Sequence, residues 1–366
     1  MTNAVVLGTI SLNKMAGGLE KNIVLLANHL VQKGIDVNLI SFDFPDADAF
    51  YEIDPRVKWY KVGNSRPHAP ISFWKRLALI RQMRIILHKL QSPIIICFHH
   101  GILFRFLLAS FLLPRRIVCS ERNSLSLYEY IRQSKWTLNF FMLSFVDKIT
   151  VQFPSYVNEY PFWLRNRIRV ISNPVFPTRN YAKPYISNDN ARFVLLSVGR
   201  LCTQKNQAEL IEAFASVCDK HLSWDLYIVG DGVWHNALQN VIDKYSLQER
   251  IFLVGKSNDV PSWYIRSHLF CMPSQWEGFP NALAEAMAHG LPCVGFSSCA
   301  GVRDLIEDGV TGLLPAPGLL SKSLDTLMGS EKLRKDMGMA AVVAMEQYLP
   351  SSSFDSWDKV LCEISK

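Results

Sequence analysis

Hydrophobic runs alternate with helix-like spacing along the first half of the chain. Short runs rich in β-branched residues predict strands, because parallel strands covered on both faces lack the polar alternation of half-exposed ones. These predicted strands are 4–10, 36–42, 93–98, 115–121, 148–153 and 168–174. Helical spacing predicts a helix over 17–34, closed by Gly34, and another over 72–90, while 101–116 is very apolar but short.

The pattern restarts after residues 175–190, a stretch rich in Pro, Asn and Tyr that we interpret as a linker. The predicted strands of the second half are 192–200, 224–232, 251–256, 269–274 and 292–296. Its predicted helices are 206–220, 234–247, 260–267 and one that starts near Pro280. Two such halves indicate an α/β protein with two doubly wound, Rossmann-like domains facing each other across a cleft.

The expected domains are residues 1–180, residues 181–345, and a C-terminal helix over 346–366 that crosses back to the first domain. A length of 366 residues suits two domains, and 49% apolar with 19% charged residues is typical of a globular protein. The run "AVVLGTI" is too short for the apolar region of a signal peptide. Eight scattered cysteines without CxxC pairs indicate buried thiols in a reducing cytosol.

Positive charge is concentrated in the first half. Residues 1–180 contain 23 Lys and Arg against 11 Asp and Glu, which favours an anionic partner for this half or reflects ordinary solubility charge. No aromatic-basic signature of an RNA-binding domain is present, so nucleic acid is not expected. Segments 72–90 and 101–116 are shorter than the ~20 apolar residues of a membrane span. They predict either binding to an anionic membrane surface or core helices with solvated outer faces.

Two carboxylates lie in the stretch "WEGFPNALAEAMAHGLPCVGF" at 276–296. Glu277 precedes a helix that Pro280 can start, and Glu285 lies more than one turn inside it. The N–H groups of such a helix start, with its dipole, suit a phosphate. Eight residues of helix rise about 12 Å, which exceeds the ~5–9 Å between paired glycosidase carboxylates. The spacing suits the two ends of an extended nucleotide sugar.

Two further groups are candidates for phosphate binding. Arg200 follows a predicted strand and Lys205 precedes a helix in "SVGRLCTQKN", so the two could neutralise a leaving diphosphate without a metal, or be solvated cations. The pair Gly17 and Gly18 lets backbone approach a phosphate, or forms a tight turn. No metal-binding cluster is evident in the sequence, and we interpret "DAD" at 46–48 as a loop.

Several motifs together resemble the retaining GT-B glycosyltransferases of family four, whose mark is two Glu residues separated by seven others. The motifs in the second half are "GRLCTQKN", "IVGDG", "FLVGKSNDV" and residues 276–296. In the first half, "AGGLEK" resembles the family's glycine loop, and "SERNS" a segment of its bacterial polysaccharide and lipid-linked glycan members. The resemblance covers essentially the whole chain.

The resemblance implies a role for each matching residue. Arg200 and Lys205 would grip the donor's diphosphate, Glu277 the hydroxyls of the transferred sugar, and Glu285 the ribose. The remaining donor-binding positions would be Gly17 and Gly18 at the β-phosphate, Val254 and Gly255 at the base, and Gly278, Phe279, Pro280 and Asn281 at sugar and phosphate. Many members of the family have a histidine near the donor sugar in the N-terminal half, and this histidine is replaced here. The candidates for contact with the sugar or the acceptor are therefore Glu121, Arg122, His99 and His100.

The function that the resemblance implies is transfer of a hexosyl or N-acetylhexosaminyl unit from a nucleoside-diphosphate sugar, with uridine as the default base. We expect retention of configuration, no metal and no cofactor, and Glu277, Arg200 and Lys205 as the catalytic residues. The expected acceptor is a lipid-diphosphate-linked or cell-surface glycan at the inner face of the cell membrane, with a cytoplasmic, peripheral enzyme. The alternatives are a nucleotide-sugar epimerase or hydrolase of the same fold, and a non-catalytic peripheral membrane scaffold.

Overall fold

The fold is described from a computed structural model that covers residues 3–63, 72–125, 138–188 and 191–365. Its strands are β1 Ala4–Thr9, β2 Asp36–Ser41, β3 Lys58–Lys61, β4 Ile94–Phe98, β5 Arg116–Ser120, β6 Lys148–Val151, β7 Ile168–Val170, β8 Phe193–Val198, β9 Trp224–Val229, β10 Ile251–Gly255, β11 Leu269–Met272, β12 Cys293–Gly295 and β13 Gly312–Leu313. Its α-helices are α1 Gly18–Gln32, α2 Phe73–Leu90, α3 His100–Ala109, α4 Leu138–Leu143, α5 Phe162–Arg165, α6 Gln207–Ala215, α7 His235–Lys244, α8 Val260–Ile265, α9 Asn281–Ala288, α10 Ala300–Leu305, α11 Leu320–Met328, α12 Glu331–Met345 and α13 Pro350–Ser365. Short 3-10 helices are Pro154–Glu159, Thr203–Lys205, Cys218–Lys220 and Glu346–Tyr348.

The chain divides into two compact units. Unit 1 comprises Met1–Pro174 with Ser351–Lys366, and unit 2 comprises Val175–Pro350. The sequence analysis placed these two divisions a few residues away, after residues 180 and 345. Each unit contains one parallel sheet with helices in its connections.

Unit 1 contains a seven-stranded parallel sheet in the order β3-β2-β1-β4-β5-β6-β7. The strand order reverses between β1 and β4, and ligands of such sheets bind beyond the carboxyl ends of the strands at this switch point. All five residues of β4 are buried, as a continuous apolar run predicts. Gly8 on β1 leaves room for the ring of Phe106 on α3, since an added Cβ would lie 2.4 Å from that ring.

The last helix, α13, completes the core of unit 1. Its residues Trp357, Val360, Leu361 and Ile364 are buried in the same apolar cluster as the central strands. The ring centroids of Trp357 and Phe98, which ends β4, are 6.3 Å apart. The C-terminal segment therefore belongs to the core of unit 1 rather than to its surface.

Unit 2 repeats the arrangement with a six-stranded parallel sheet in the order β10-β9-β8-β11-β12-β13. Here the order reverses between β8 and β11, so the segments that follow these two strands start side by side. The central strands are buried, with Leu195, Leu196, Phe270 and Val294 fully inaccessible to solvent.

The structure corrects several details of the sequence analysis. The helix expected to start near Pro280 begins one residue later, at Asn281, so this proline precedes the first helical turn rather than forming it. Strand β3 at the sheet edge was not predicted, because its residues are half-exposed and mixed in character. Not all cysteines are buried thiols, since Cys202 is half-buried and Cys362 is exposed. Within the part of the chain that the structure describes, no helix is long and apolar enough to cross a membrane.

Candidate functional site

An ion pair joins the two loops that start at the switch point of unit 2. The ammonium group of Lys205, in the loop after β8, pairs with the carboxylate of Glu277, in the loop after β11. The Lys205 and Glu277 side chains are only 18% and 8% exposed, respectively, so the pair is largely shielded from water. The structure therefore brings together two residues that the sequence analysis assigned to one diphosphate-sugar ligand.

Backbone contacts hold these two loops in register. The Gln204 side-chain amide donates to the carbonyl of Trp276 at 2.9 Å, and the N–H of Gln275 donates to the carbonyl of Gln204 at 2.9 Å. Asn206 adopts a left-handed conformation with φ 52°, which turns the chain from the Lys205 loop directly into α6. Sequence reasoning missed Gln204, although it lies inside the motif that identified Lys205.

The residues that follow Glu277 in its loop are buried against neighbouring elements of unit 2. Gly278, Phe279 and Pro280 are buried, and the Phe279 ring lies edge-on to Tyr348 at 5.6 Å between centroids. The carbonyl of Gly278 would lie 2.4 Å from a Cβ added at Gly301 on α10, so that helix approaches the loop through a glycine. The burial fixes the backbone of this loop ahead of α9.

Arg200 differs from Lys205 in its surroundings. It is exposed, and its carbonyl accepts a hydrogen bond of 3.0 Å from the side-chain amide of Gln207 on α6. Gln207 therefore fixes the backbone of Arg200 at the carboxyl end of β8. Val254 and Gly255 end β10 and are half-exposed, and Gly255 has φ 79°, a conformation that favours glycine.

Glu285 on α9 accepts a hydrogen bond from a buried tyrosine. The hydroxyl of Tyr264 on α8 donates to Oε2 of Glu285 at 3.1 Å. Burial, followed by the charge of Glu285, raises the pKa of Tyr264 well above its ordinary value of 10, so the hydroxyl keeps its proton. Tyr264 lies 21 residues before Glu285. Sequence reasoning missed it, because no motif marks this pairing.

A second polar group lies at the carboxyl edge of the sheet in unit 1. Phe98 pairs with Ser120 across β4 and β5, so the residues after these strands emerge together. Nδ1 of His100 lies 3.0 Å from each carboxylate oxygen of Glu121. Burial opposes the charged form of each group, but their mutual attraction and hydrogen bond raise the pKa of His100 and lower the pKa of Glu121. Both shifts favour the charged forms of the two groups, an imidazolium beside a carboxylate.

His99 completes this cluster as a neutral imidazole. Its ring stacks on His100 at 4.2 Å between centroids, and burial lowers its pKa. Its Nδ1 accepts a hydrogen bond of 3.0 Å from the N–H of Gly101, which leaves the ring proton on Nε2. The φ of 84° is unusual for a residue other than glycine and is typical of functional sites.

The side chains of His99, His100 and Glu121 have ligand-type atoms within 4.8 Å of one another, close enough for a metal ion to bridge. Both Nδ1 atoms of the cluster already have partners. Nδ1 of His99 is taken by the N–H of Gly101, and Nδ1 of His100 faces both oxygens of Glu121. A metal ion at Glu121 would compete with its contact to His100.

Arg122 follows this cluster and is held by the core of unit 1. Its guanidinium donates to Oδ1 of Asn173 at 2.9 Å and lies over the rings of Phe98 and Trp357, at 5.0 and 5.9 Å from their centroids. Burial lowers the pKa of Arg122 to about 10, which still leaves it charged at neutral pH.

The glycine pair of unit 1 lies where α1 starts. Gly17 precedes the helix in extended backbone and Gly18 is its first residue. An added Cβ at Gly17 would lie 2.1 Å from a carboxylate oxygen of Glu20, which is buried in the first turn. Gly17 has φ −87°, so this position does not require a positive φ. The two glycines stay predicted donor-binding residues.

Two family models match the chain in succession. The model described as Glycosyltransferase Family 4 matches residues 16–179, and the model described as Glycosyl transferases group 1 matches residues 182–342. Together they cover both units, and the chain belongs to this family of glycosyltransferases. The two parallel-sheet α/β units define the GT-B fold that the sequence predicted.

Individual relatives are similar along nearly their whole length. The amylovoran biosynthesis glycosyltransferase AmsD of Erwinia amylovora is 26% identical over 94% of this chain and 96% of its own. A Campylobacter jejuni enzyme is 24% identical over 95% of this chain and 96% of its own. Its name is GalNAc-alpha-(1->4)-GalNAc-alpha-(1->3)-diNAcBac-PP-undecaprenol alpha-1,4-N-acetyl-D-galactosaminyltransferase. Anabaena HepE, solved in complex with UDP and glucose, superposes with a TM-score of 0.77 at 18% identity, covering 99% of this chain and 100% of its own.

Proposed function

We propose that this glycosyltransferase moves a hexosyl or N-acetylhexosaminyl unit from a UDP-sugar to a lipid-linked or cell-surface glycan, with retention of configuration. The observation that carries the proposal is the shielded pair of Lys205 and Glu277 at the carboxyl ends of β8 and β11. One side chain can neutralise a phosphate and the other can accept hydrogen bonds from sugar hydroxyls. A nucleotide sugar offers both groups next to each other.

The proposed chemistry depends on the charge that grows on the leaving diphosphate. Lys205, Arg200 and the N–H groups at the start of α9 would stabilise it as preorganised electrostatic partners. Glu277 would hold the transferred sugar, and Glu285, oriented by Tyr264, the ribose. We infer attack on the same face as the leaving group, with a phosphate oxygen as base, because the resemblance implies this route.

We propose that the reaction needs no metal or other cofactor. The cations of Lys205 and Arg200 supply the positive charge that a metal would otherwise bring to the diphosphate. In the histidine cluster of unit 1, Nδ1 of His99 accepts from the N–H of Gly101 and Nδ1 of His100 faces the carboxylate of Glu121. The neutral His99, which carries a proton on Nε2, is suited instead to donate a hydrogen bond to a sugar or acceptor oxygen.

The names of two relatives and the positive charge of the first half support a proposal for the acceptor and the location of the enzyme. The Campylobacter enzyme is named for an acceptor linked to diphospho-undecaprenol, and the Erwinia enzyme for amylovoran biosynthesis. We therefore propose a lipid-diphosphate-linked glycan acceptor, in polysaccharide or lipopolysaccharide synthesis, and a peripheral enzyme on the cytoplasmic face of the membrane. The HepE complex with UDP supports uridine as the base.

A donor panel tests the reaction. Nucleoside diphosphate release is measured for UDP-sugars and other nucleotide sugars, with and without diphospho-undecaprenol-linked glycans. We expect release to depend on the acceptor, and the anomeric configuration of the product, read by NMR, to match that of the donor. Turnover of donor alone would favour an epimerase or hydrolase. A Glu277→Ala variant that keeps full cellular function would favour a scaffold.

Lys205→Ala tests the role of the cation. We expect kcat to fall by about 10²–10³ while the dissociation constant of the donor rises much less, since Lys205 would act mainly on transition-state charge. Lys322→Ala removes an exposed lysine of α11 and serves as the matched control with unchanged kinetics. An equal loss in binding and turnover would show that Lys205 only holds the donor.

A further inference from the structure

Three neighbouring helices of unit 1 expose large apolar side chains to solvent. Helix α3 packs against both α2 and α4. Six side chains in and beside these helices are 50% to 82% exposed and are named here the apolar face: Trp74, Phe104, Phe111, Leu112, Phe141 and Phe145. Water-exposed aromatic clusters of this kind mark interaction sites in soluble proteins.

The turn after α3 presents Phe111 and Leu112 of the apolar face, and it does so with Leu112 in an unfavourable backbone conformation. Leu112 has φ 62°, a left-handed conformation that glycine or asparagine adopts more readily, yet its side chain is 82% exposed. The guanidinium of Arg84 on α2 donates to the carbonyls of Ala109 and Phe111 at 3.3 and 2.6 Å. Fold stability does not explain why this turn presents a leucine to solvent.

Basic residues predominate in the part of the sequence that carries most of the apolar face. Residues 55–120 contain 12 Lys and Arg and no Asp or Glu. On α2, Lys75, Arg81 and Lys89 are exposed between the apolar positions. Basic side chains that flank exposed Trp and Phe match the interface of an anionic bilayer, where aromatic rings enter the headgroup region and cations contact lipid phosphates.

We propose that the apolar face docks unit 1 onto the surface of an anionic phospholipid bilayer. This inference rests on the proposed function for its purpose, which is to meet a lipid-linked acceptor. Helix α3 links the two, since it starts at His100 and exposes Phe104 four residues later. Four residues of helix rise about 6 Å. The candidate acceptor-side residues His99 and His100 therefore lie within reach of a sugar attached to a lipid diphosphate.

Vesicle flotation tests the docking. The probes are vesicles of phosphatidylethanolamine and phosphatidylglycerol at a ratio of about 3:1 and vesicles of phosphatidylcholine alone, used at low and high salt. We expect the protein to float with the anionic vesicles, and binding to weaken with salt because exposed charges are screened. Loss of one basic contact should weaken binding roughly fivefold.

Paired variants separate the two contributions. Trp74→Ser with Phe111→Ser removes apolar contact, Lys75→Glu with Arg81→Glu reverses charge, and each pair should lower vesicle affinity at least about tenfold. The control pair Leu222→Ser with Val233→Ser changes exposed apolar residues of unit 2 and should bind as the wild type does. Circular dichroism and UDP binding, measured on every variant, establish that each one is folded.

Several outcomes would overturn the docking inference. The first is that the wild-type protein does not bind anionic vesicles. The second is that the variant carrying both Trp74→Ser and Phe111→Ser binds these vesicles as well as the wild type does. Binding of an acidic protein by this face, with no binding to vesicles, would overturn it as well. Sugar transfer to a soluble acceptor by a protein that ignores vesicles would leave the proposed function intact. Vesicle binding without UDP binding would refute the proposed function alone.

Discussion

A hydrogen bond from a buried tyrosine helps to orient Glu285. The hydroxyl of Tyr264 donates to Oε2 of this carboxylate at 3.1 Å. Because Tyr264 is buried and keeps its proton, it acts on the carboxylate as a fixed donor. We therefore regard Tyr264 as a positioning residue for the proposed ribose contact.

Tyr264→Phe should weaken donor binding with little effect on chemistry. The loss of one hydrogen bond to a carboxylate predicts an increase of about tenfold in the KM for the donor, with kcat within about twofold. The check uses a donor with 2′-deoxyribose. The wild type should bind the deoxy donor more weakly than the normal donor. In the Tyr264→Phe variant this difference in affinity should be smaller, because the carboxylate of Glu285 is no longer aligned with the ribose.

Tyr245→Phe is the matched control, because it makes the same substitution at an exposed position of unit 2. It should leave both donors unaffected. The Tyr264→Phe change and the deoxy donor each reduce the free energy of donor binding. If these two reductions were additive, Tyr264 would have a structural role independent of the ribose.

At the scale of elements, the pair His100 and Glu121 joins the start of α3 to the end of β5. The sequence identified both as residues that follow strands, but it could not pair them. Their contact depends on β4 and β5 being neighbours in the register that sets Phe98 beside Ser120. It also depends on burial, which raises the cost of leaving either group unpaired.

The pair predicts a pH-dependent stability for this edge of the sheet. The raised pKa of folded His100 means that its contribution is full below the ordinary value of 6.5 and is lost as pH rises through the folded pKa. The lowered pKa of Glu121 means that its contribution is present above 4.5 and is lost as pH falls through the folded pKa. The pair should therefore contribute most between these two values.

Hydrogen exchange of the β4–α3 and β5 backbone measures this contribution. Glu121→Gln should lower the local opening free energy by about 1–3 kcal/mol at pH 6, and by less at pH 9. His99 stacks on the pair and Cys119 Sγ lies 3.5 Å from Glu121, so both neighbours must be intact in the variant. An equal difference at both pH values would contradict the assigned charges.

The elements themselves were largely predictable from the sequence. Near-continuous β-branched runs predicted the central strands of unit 1, because such runs are buried on both faces. The apolar face was only half predicted. Segments 72–90 and 101–116 were identified by their composition, whereas Phe141 and Phe145 were missed, since exposure depends on which side of a helix the core covers.

At the scale of the molecule, the chain leaves unit 1 after Pro174 and returns to it at Ser351. Helix α13 then supplies Trp357 to the core of unit 1, where its ring also lies beneath the guanidinium of Arg122. The sequence predicted a helix that crosses back, but its place in the core depends on long-range packing that no local pattern encodes.

Trp357→Ala should destabilise unit 1 selectively. Removing a buried indole costs about 3–5 kcal/mol through lost burial and the cavity left behind. Hydrogen exchange should show lost protection in β1 and β4 and unchanged protection in β8 and β11. Trp74→Ala, at an exposed position of the same unit, should change neither. Equal loss in both sheets would show that the units unfold as one.

The salt bridge between Lys205 and Glu277 also bears on how the proposed enzyme would avoid being blocked by its own by-product. In the proposed binding mode, released nucleoside diphosphate would offer oxygens to Lys205 but would lack the transferred sugar whose hydroxyls Glu277 would bind, so it would have to outcompete the carboxylate without compensation. The complete donor would engage both side chains at once. Self-neutralisation of the empty site would therefore favour loading over product inhibition and help each catalytic cycle to reset.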